Sequence, residues 1–557
     1  MYRSLIAVFG LLVPAIATPA VDNRPNVLFI AVDDLNDWTG CLGGHPQAKT
    51  PNIDRLAESG VLFTNAHCPA PACNPSRGAI MTGISPHISG LYDNRQKMRE
   101  IMPDAAILPK HFSRHGYWSA GSGKILHYFI DAQSWDEYFP PKETEDPFPR
   151  TMYPKDRPVN LPVGGPWQYK ETDWAALDAT DEAFGGDWLV SEWVGEQLQK
   201  KHDKPFFLAC GIYRPHEPWF VPKKYFDPFP IDDIQLPPGY KEDDLDDLPP
   251  AGKKRGPNRY FPHIRAHGQW KKGIQGYLAS IAFADTMVGR VLDALDNGPN
   301  RDNTIVMLWS DHGWHLGEKQ HWQKFTGWRV CTRVPLIIRV PVGTPGLPEG
   351  TNVGARCDAP VNLLSLFPTL TRLTDVPHKE SNDGPSLVPL LENTDAEWPH
   401  VSITYLGKPG NYALSDGGWR YIEYDNGDNE LYDIRSDPHE WTNLAGRPEN
   451  GRQISRLQKL APTTFAKFVP ASVESLPKLK WHPVADKAEV PASNPDGGSL
   501  DVIFTNKSND PVKLSWLTKQ GTRMPKGTLQ SGWRKPYKTR PGAVWLVTDS
   551  DDHPRGY

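Results

Sequence analysis

Three stretches of the chain are apolar for the length of a strand without alternation: Asn26 to Val32 (NVLFIAV), Phe206 to Ile212 (FFLACGI) and Thr304 to Trp309 (TIVMLW). An apolar run of that length with no polar face is the pattern of a strand covered on both sides. Helical patterns lie between them. Thr50-Pro51 offers an N-cap and a first-turn proline for a helix ending near Gly60. From Gly276 to Asn297, Ile281, Ala284, Val288, Val291 and Leu295 share one helical face, leading directly into the third strand. Strands alternating with helices predict an α/β fold with a large, mostly parallel sheet covered by helices. One apolar run is different. Residues 1–20 carry Arg3, an apolar stretch from Leu5 to Ile16, and small residues at Ala15, Ala17 and Ala20, the pattern of a secretory signal peptide. The run is short of the roughly 18 apolar residues of a membrane span, and no later stretch reaches that length. A secreted or periplasmic protein without a membrane span is expected.

Composition adds little to this picture. The 61 basic and 66 acidic side chains give no general attraction to nucleic acid or anionic lipid. With 56 prolines and 20 tryptophans the chain reads as loop-rich with aromatic surfaces, as carbohydrate-handling proteins often are. The six cysteines, Cys41, Cys68, Cys73, Cys210, Cys331 and Cys357, include no close metal-binding pair and are too few for a disulfide framework in a chain this long.

The residues just beyond each strand carry the chemistry. The first strand ends in Asp33-Asp34, the second leads to His216 in YRPHEP, and the third ends in Asp311-His312-Gly313. In a parallel α/β sheet these groups gather outside the carboxyl ends of the strands. Adjacent carboxylates in a crevice repel unless a cation lies between them, and an oxygen-rich set of Asp33, Asp34 and Asp311 with His312 suits a hard ion such as calcium or magnesium. Either pair taken alone reads equally as polar turn residues. A second constellation is CNPSRGAIMTG, residues 73–83. Pro75 fixes the chain, Ser76 is placed to cap a helix running through Met81, and the helix N-terminus with Arg77 makes an anion site facing Cys73. A buried thiol, or a disulfide to Cys68, is the other reading of that cysteine.

Taken in order, VLFIAVDD, TPNIDRLAESGVLFTNAH, CNPSRGAIMTG, SGKILH, SDHGWHLGE and ELYDIRSDPHEWTNL resemble the formylglycine-dependent sulfatases of the alkaline phosphatase superfamily over roughly residues 24–480. LYDN, GKILH, PFFLACGIYRPHEP, HWQKF and VNLLSLFPTLTRL are similar to the iduronate-2-sulfatase group. The resemblance implies that a maturation enzyme oxidises Cys73 to formylglycine. Asp33, Asp34, Asp311 and His312 would bind calcium together with an oxygen of modified Cys73. Many sulfatases have asparagine at the position of His312, and the histidine form occurs in the iduronate-2-sulfatase group. Arg77 and Lys124 would hold the formylglycine hydrate with His127 beside it, and His216 and Lys324 would contact the sulfate and its bridging oxygen. In that chemistry one hydrate oxygen attacks sulfur, the lysines and calcium stabilise charge, His216 is the general acid, and His127 takes the proton that lets the aldehyde re-form. Trp314, Asp93 and Asn94 are candidates for the substrate rim; singly, the lysines also read as solvated charges and the histidines and Trp314 as packing residues.

The implied organisation is a signal peptide (1–20), a sulfatase catalytic domain (21–395), a C-terminal sulfatase subdomain with a small antiparallel sheet (396–480), a linker rich in Pro, Ala, Asp and Gly (481–498) and an appended all-β sandwich (499–557). The last segment resembles the β-domain of the von Hippel-Lindau tumour suppressor, through VIF-x-N-x-S at Val502 to Ser508, Trp516, Thr528-Leu529, Gly542 and Trp545-Leu546. Trp516 and Trp545 match two aromatic residues of its hydroxyproline pocket, whose tyrosine and histidine are replaced by Lys526 and Ala543. An accessory β module is expected, with a peptide, a glycan or the sulfatase domain as ligand. The expected activity is hydrolysis of a sulfate ester on a sulfated sugar, a uronate 2-sulfate or a related polysaccharide unit. A phosphonate or phosphate ester hydrolase of the same superfamily and a silent binding protein on a sulfatase scaffold are the other readings. The loops Asp131–Ala183 and Phe226–Gly268, which would set the sugar and the sulfated position, predict no geometry.

Overall fold

A computed structural model describes residues 24–557 apart from 142–146, 155–159, 163–171, 471–478, 485–488 and 496–499. The expected signal peptide lies outside the described residues. Eight strands form the central sheet: β1 (Asn26–Val32), β2 (Val61–Phe63), β3 (Trp118–Gly123), β4 (Glu137–Phe139), β5 (Phe206–Ile212), β6 (Thr304–Ser310), β7 (Leu336–Arg339) and β8 (Ala355–Cys357). Their spatial order is β8-β2-β7-β6-β1-β5-β3-β4. All neighbours run parallel except β7, which is antiparallel to both β6 and β2.

The unbroken apolar pattern of β1 has a direct consequence. Leu28, Ile30 and Val32 enter one hydrophobic cluster and Val27, Phe29 and Ala31 the other, so the strand supplies two cores at once. The first core is covered by helices α1 (Pro51–Glu58), α3 (Asp187–Leu198) and α4 (Trp270–Asp296), the second by α2 (Cys73–Thr82) and α5 (Leu366–Leu373). On α4 the predicted stripe Ile281, Ala284, Val288, Val291 and Leu295 is buried throughout, although the helix begins six residues before the expected Gly276. Each Val, Leu or Ile of the stripe contributes about 1.5–3 kcal/mol by leaving water.

Two caps differ from expectation. Thr50 precedes α1, but its hydroxyl donates to Asp54 Oδ1 at 3.1 Å and makes no cap bond to the backbone. Helix α2 starts at Cys73 after an extended Ala72, three residues ahead of Ser76. Ser76 is therefore inside the first turn, and its Oγ donates to the Asp311 carbonyl at 2.6 Å.

A four-stranded antiparallel sheet comes next, β9 (Ser402–Tyr405), β10 (Tyr412–Ser415), β11 (Trp419–Glu423) and β12 (Asn429–Asp433). One face packs on Trp328, whose indole donates to Glu430 Oε2 at 2.8 Å. Arg420 donates to the Gly327 carbonyl at 2.6 Å, so this sheet buttresses the loop that carries Lys324. The last residues form β13 (Leu500–Thr505), β14 (Val512–Leu517), β15 (Arg523–Leu529), β16 (Arg534–Thr539), β17 (Trp545–Thr548) and β18 (Pro554–Gly556). They pair as β13-β16 and as β15-β14-β17-β18, with Leu514, Leu529 and Val547 at the centre. Among the described residues no helix is long and apolar enough to cross a membrane.

Candidate active site

Four adjacent parallel strands, β6, β1, β5 and β3, each deliver a charged group at the carboxyl end: Asp311 and His312, Asp33 and Asp34, His216, and Lys124. Lys124 depends on two glycines of β3. A side chain at Gly121 would meet the rings of Tyr138 and Trp135 within 3 Å, and Gly123 has φ +74° with the Gly211 carbonyl where a Cβ would go. Gly121 thus lets β3 lie against Trp135 and Tyr138, Gly123 lets it approach β5, and Lys124 then reaches Asp33 of β1.

Cys73, fully buried at the start of α2, is the focus. Lys324 Nζ lies 3.1 Å from its sulfur, His312 Nε2 3.3 Å and Lys124 Nζ 3.5 Å. Burial alone would push the thiol up, but Lys124 and Lys324 together outweigh it and hold Cys73 well below the ordinary thiol value. The six thiols are free, so the alternative of a Cys68–Cys73 disulfide is not realised.

Arg77, one helical turn on, joins two strands. Its Nε donates to Asp311 Oδ2 at 2.7 Å and its Nη2 to Asp33 Oδ1 at 3.0 Å, while Nη1 binds the carbonyls of Lys124 and Ile125. The other Asp33 oxygen takes the Lys124 ammonium. Burial would raise both carboxylates, yet the adjacent cations hold Asp33 and Asp311 below the usual range.

Asp34 differs from its neighbour. It adopts φ +60°, a conformation that costs a non-glycine residue about 1–3 kcal/mol, and is held there by bonds on both sides. Tyr277 donates to its carbonyl at 2.7 Å, and its amide donates to Asp311 Oδ1 at 3.1 Å. Oδ1 accepts from Lys324 at 2.7 Å, and Oδ2 is buried without a hydrogen-bond partner. Burial raises the Asp34 carboxyl despite His216 and Lys324 nearby.

His216 Nδ1 bonds the Glu217 carbonyl at 2.6 Å, which leaves Nε2 facing Asp34 Oδ2 at 3.7 Å. Burial opposes the charged ring, but Asp34 raises its pKa above the ordinary value. His127 Nδ1 is buried and unpartnered, and burial lowers this ring. Lys324 sits between Gln323 and Phe325, both at positive φ, and Gln323 is fixed by a 2.6 Å bond to Glu217 Oε1.

The softer candidates fall in two places. Asn94 Oδ1 accepts the Asn74 amide at 2.9 Å and the Asp93 carbonyl accepts the Asn74 side chain at 3.0 Å, so both border the start of α2. Trp314 is 1% exposed, with Lys324 Nζ 5.3 Å above its ring. It is packed beneath Lys324 and near the His216 ring. Sequence reasoning missed Tyr277 and Gln323, which fix the backbone of Asp34 and Lys324, because a tyrosine on a helix face and a glutamine beside a lysine carry no motif. It also missed Arg214, a buried guanidinium over Tyr213 that donates to the His216 carbonyl at 3.3 Å.

The donor set suits a hard cation. Ligand atoms of Asp33, Cys73, Asp311 and His312 lie within 4.8 Å of one another, as do those of Asp33, Asp34, Cys73 and His216. The unpartnered Asp34 Oδ2 is the kind of buried lone pair that an ion satisfies.

A family model described as Sulfatase matches residues 25–376. The chain belongs to the sulfatase family. A relative named Sulfatase from Formosa agariphila is 41% identical over 454 residues, covering 80% of this chain and 87% of its own. Iduronate 2-sulfatase of Mus musculus is 32% identical over 392 residues, 63% of this chain and 69% of its own. Among solved structures, a phosphonate monoester hydrolase from Silicibacter pomeroyi superposes with a TM-score of 0.62 at 21% identity, covering 78% of this chain and 94% of the other. The fold is the alkaline-phosphatase-like sulfatase fold, and the sulfatase is a sulfuric ester hydrolase.

Proposed function

We propose that this sulfatase removes sulfate from a sulfated saccharide, with uronate 2-sulfates as the first class of substrate, and that Cys73 acts after oxidation to formylglycine. The observation that carries this reading is the enclosure of Cys73 by two ammoniums and an imidazole, at 3.1, 3.5 and 3.3 Å. A thiol in that enclosure has its sulfur where a sulfate ester would need a nucleophile. The uronate preference rests on the motifs shared with the iduronate-2-sulfatase group and on the murine relative of that name.

Calcium would be held by Asp33, Asp34, Asp311 and His312. When both are in place, the cation supplies charge neutralisation for the sulfate oxygens and the formylglycine hydrate supplies the oxygen nucleophile. The remaining work belongs to side chains. Lys124 and Lys324 approach from opposite carboxylates and bind the sulfate oxygens as charge builds there. His216 donates from Nδ1 to the Glu217 carbonyl, and because Asp34 favours the charged ring a second proton sits on Nε2 for the departing alkoxide. His127, whose ring interacts with the Cys73 side chain, takes the proton that sulfate release requires. Arg77 positions Asp33 and Asp311 and does not leave them.

Steady-state hydrolysis of an aryl sulfate and an aryl phosphonate by the matured enzyme, and then of a panel of sulfated disaccharides, tests the reading. Sulfate esters should be preferred in kcat/KM, and uronate 2-sulfates should lead the panel. Preference for the phosphonate would transfer the site to the other branch of the superfamily.

A further inference from the structure

The chain is slightly acidic overall, but its last 58 residues, 500–557, hold ten Lys or Arg against five Asp or Glu, leaving 51 against 61 elsewhere. Within this unit the charges are separated. Three of the five acidic residues, Asp549, Asp551 and Asp552, lie between β17 and β18, where Asp549 pairs with Arg555 at 3.1 Å and Asp552 with Lys513 at 3.0 Å. The cations on β15 and β16 are arranged differently. Arg523, Lys526 and Lys535 make no ion pair among the described residues.

Two of these cations lie on aromatic rings. Lys526 Nζ is 5.9 Å from the centre of the Trp516 ring and Lys535 Nζ is 5.3 Å from that of Tyr537. They come from different sheets to one rim. Gly527 has φ +116°, and a Cβ there would lie 3.6 Å from Lys535 Nζ, so the lysine crosses the bare backbone of β15. The Tyr537 hydroxyl donates to the Lys526 carbonyl at 2.9 Å and ties the two strands together. Met524, Trp516 and Trp545 form one cross-strand row beside them, with Met524 45% exposed at its outer end. Trp533, two residues before Lys535, is 62% exposed.

We propose that this rim binds a sulfated polysaccharide. A sugar ring offers apolar C–H faces to an aromatic surface, and its sulfate groups pair with ammoniums held just above that surface. A neutral peptide would leave the cations without purpose, and a neutral glycan would use only the rings. The choice of sulfate over other polyanions rests on the proposed function, which brings the protein to sulfated saccharides. The unit would thereby hold the enzyme on a polymer whose sulfate esters the catalytic site cleaves, raising the local substrate concentration without a new catalytic contact.

The test uses the full-length Cys73→Ala protein, which cannot form the aldehyde and leaves the polymer uncut. Calorimetric titration with heparin and with chemically desulfated heparin should show binding of the first alone. Lys526→Gln/Lys535→Gln should weaken heparin binding at least 10-fold, and Trp533→Ala about 3-fold, with unchanged near-UV circular dichroism. In the matured enzyme the same two variants should leave kcat/KM for an aryl sulfate unaltered. Unchanged heparin binding in both variants, equal binding of the desulfated polymer, or tighter binding of a single-stranded oligonucleotide or of phosphatidylserine vesicles at the same salt would overturn the proposal. A matured enzyme that hydrolyses no sulfate ester would sink the proposed function while leaving the binding result readable by itself.

Discussion

At the carboxyl ends of β6, β1, β5 and β3 the charges are enclosed: Asp33, Asp34, Arg77, Lys124, Asp311 and His312 have no solvent exposure, and all but His312 are locked in ion pairs with a fixed charge. On the rim of β14, β15 and β16, Lys526 and Lys535 lie on aromatic faces at the surface and make no ion pair among the described residues. The difference separates two uses of charge. Buried, mutually compensated charge is preorganised for a reaction and is costly to disturb. Surface charge that is left open is inexpensive to remove and is adapted to an incoming polyanion.

That contrast predicts a graded set of effects. Cys73→Ala should lower sulfate ester hydrolysis by at least about three orders of magnitude, as loss of a nucleophile does, measured with an aryl sulfate after maturation of the parent in the same host. Removal of metal by a chelator should abolish turnover, and calcium should restore it in preference to zinc; full activity in the chelated protein would remove the cation from the site. His216→Asn should cost about 10²–10⁴-fold for a sugar sulfate and much less for 4-nitrophenyl sulfate, whose phenolate leaves without a proton. Equal losses on both substrates would deny His216 the role of acid.

Stability should divide the two regions as well. Arg77→Met leaves Asp33 and Asp311 buried without their shared partner and should cost about 3–5 kcal/mol in denaturant unfolding. Lys526→Gln should change stability by less than about 0.5 kcal/mol. A pH-dependent effect concerns Asp244, whose Oδ1 binds Lys319 at 2.7 Å while Oδ2 is buried without a partner. Burial outweighs Lys319 and pushes this carboxyl up to about 7. A folded-state value above the unfolded one means that the native protein binds the extra proton, so this group's contribution is present at low pH and is lost as pH rises from about 4 through about 7. Asp244→Asn should flatten that part of the stability profile; an unchanged slope would contradict the assignment.

Much of this contrast was legible in the chain. β1 and β5 coincide with their unbroken apolar runs, and β6 runs one residue beyond its own, because a doubly covered strand needs apolar residues on both faces. The residues just after them are those that meet in the site. β3, Trp118–Gly123 (WSAGSG), has no such pattern, since its glycines answer to Trp135, Tyr138 and the Gly211 carbonyl, contacts distant in sequence. The start of α2 was misplaced for a related reason. Ser76 has the chemistry of a cap, but its hydroxyl is drawn to the Asp311 carbonyl, 235 positions away. Trp314 gave no sign of whether it faced substrate or core, and it is the packed support of Lys324. The rim was half visible: Trp516, Lys526 and Trp545 stood out, but the approach of Lys535 from the other sheet required the fold.

Everything proposed for catalysis depends on the chemical state of one residue. Mass spectrometry of the peptide containing Cys73, from protein made in a host that matures another sulfatase, measures it directly. An aldehyde or its hydrate at Cys73 is the predicted result. An intact thiol there, in a sample whose companion sulfatase is fully converted, would contradict the account.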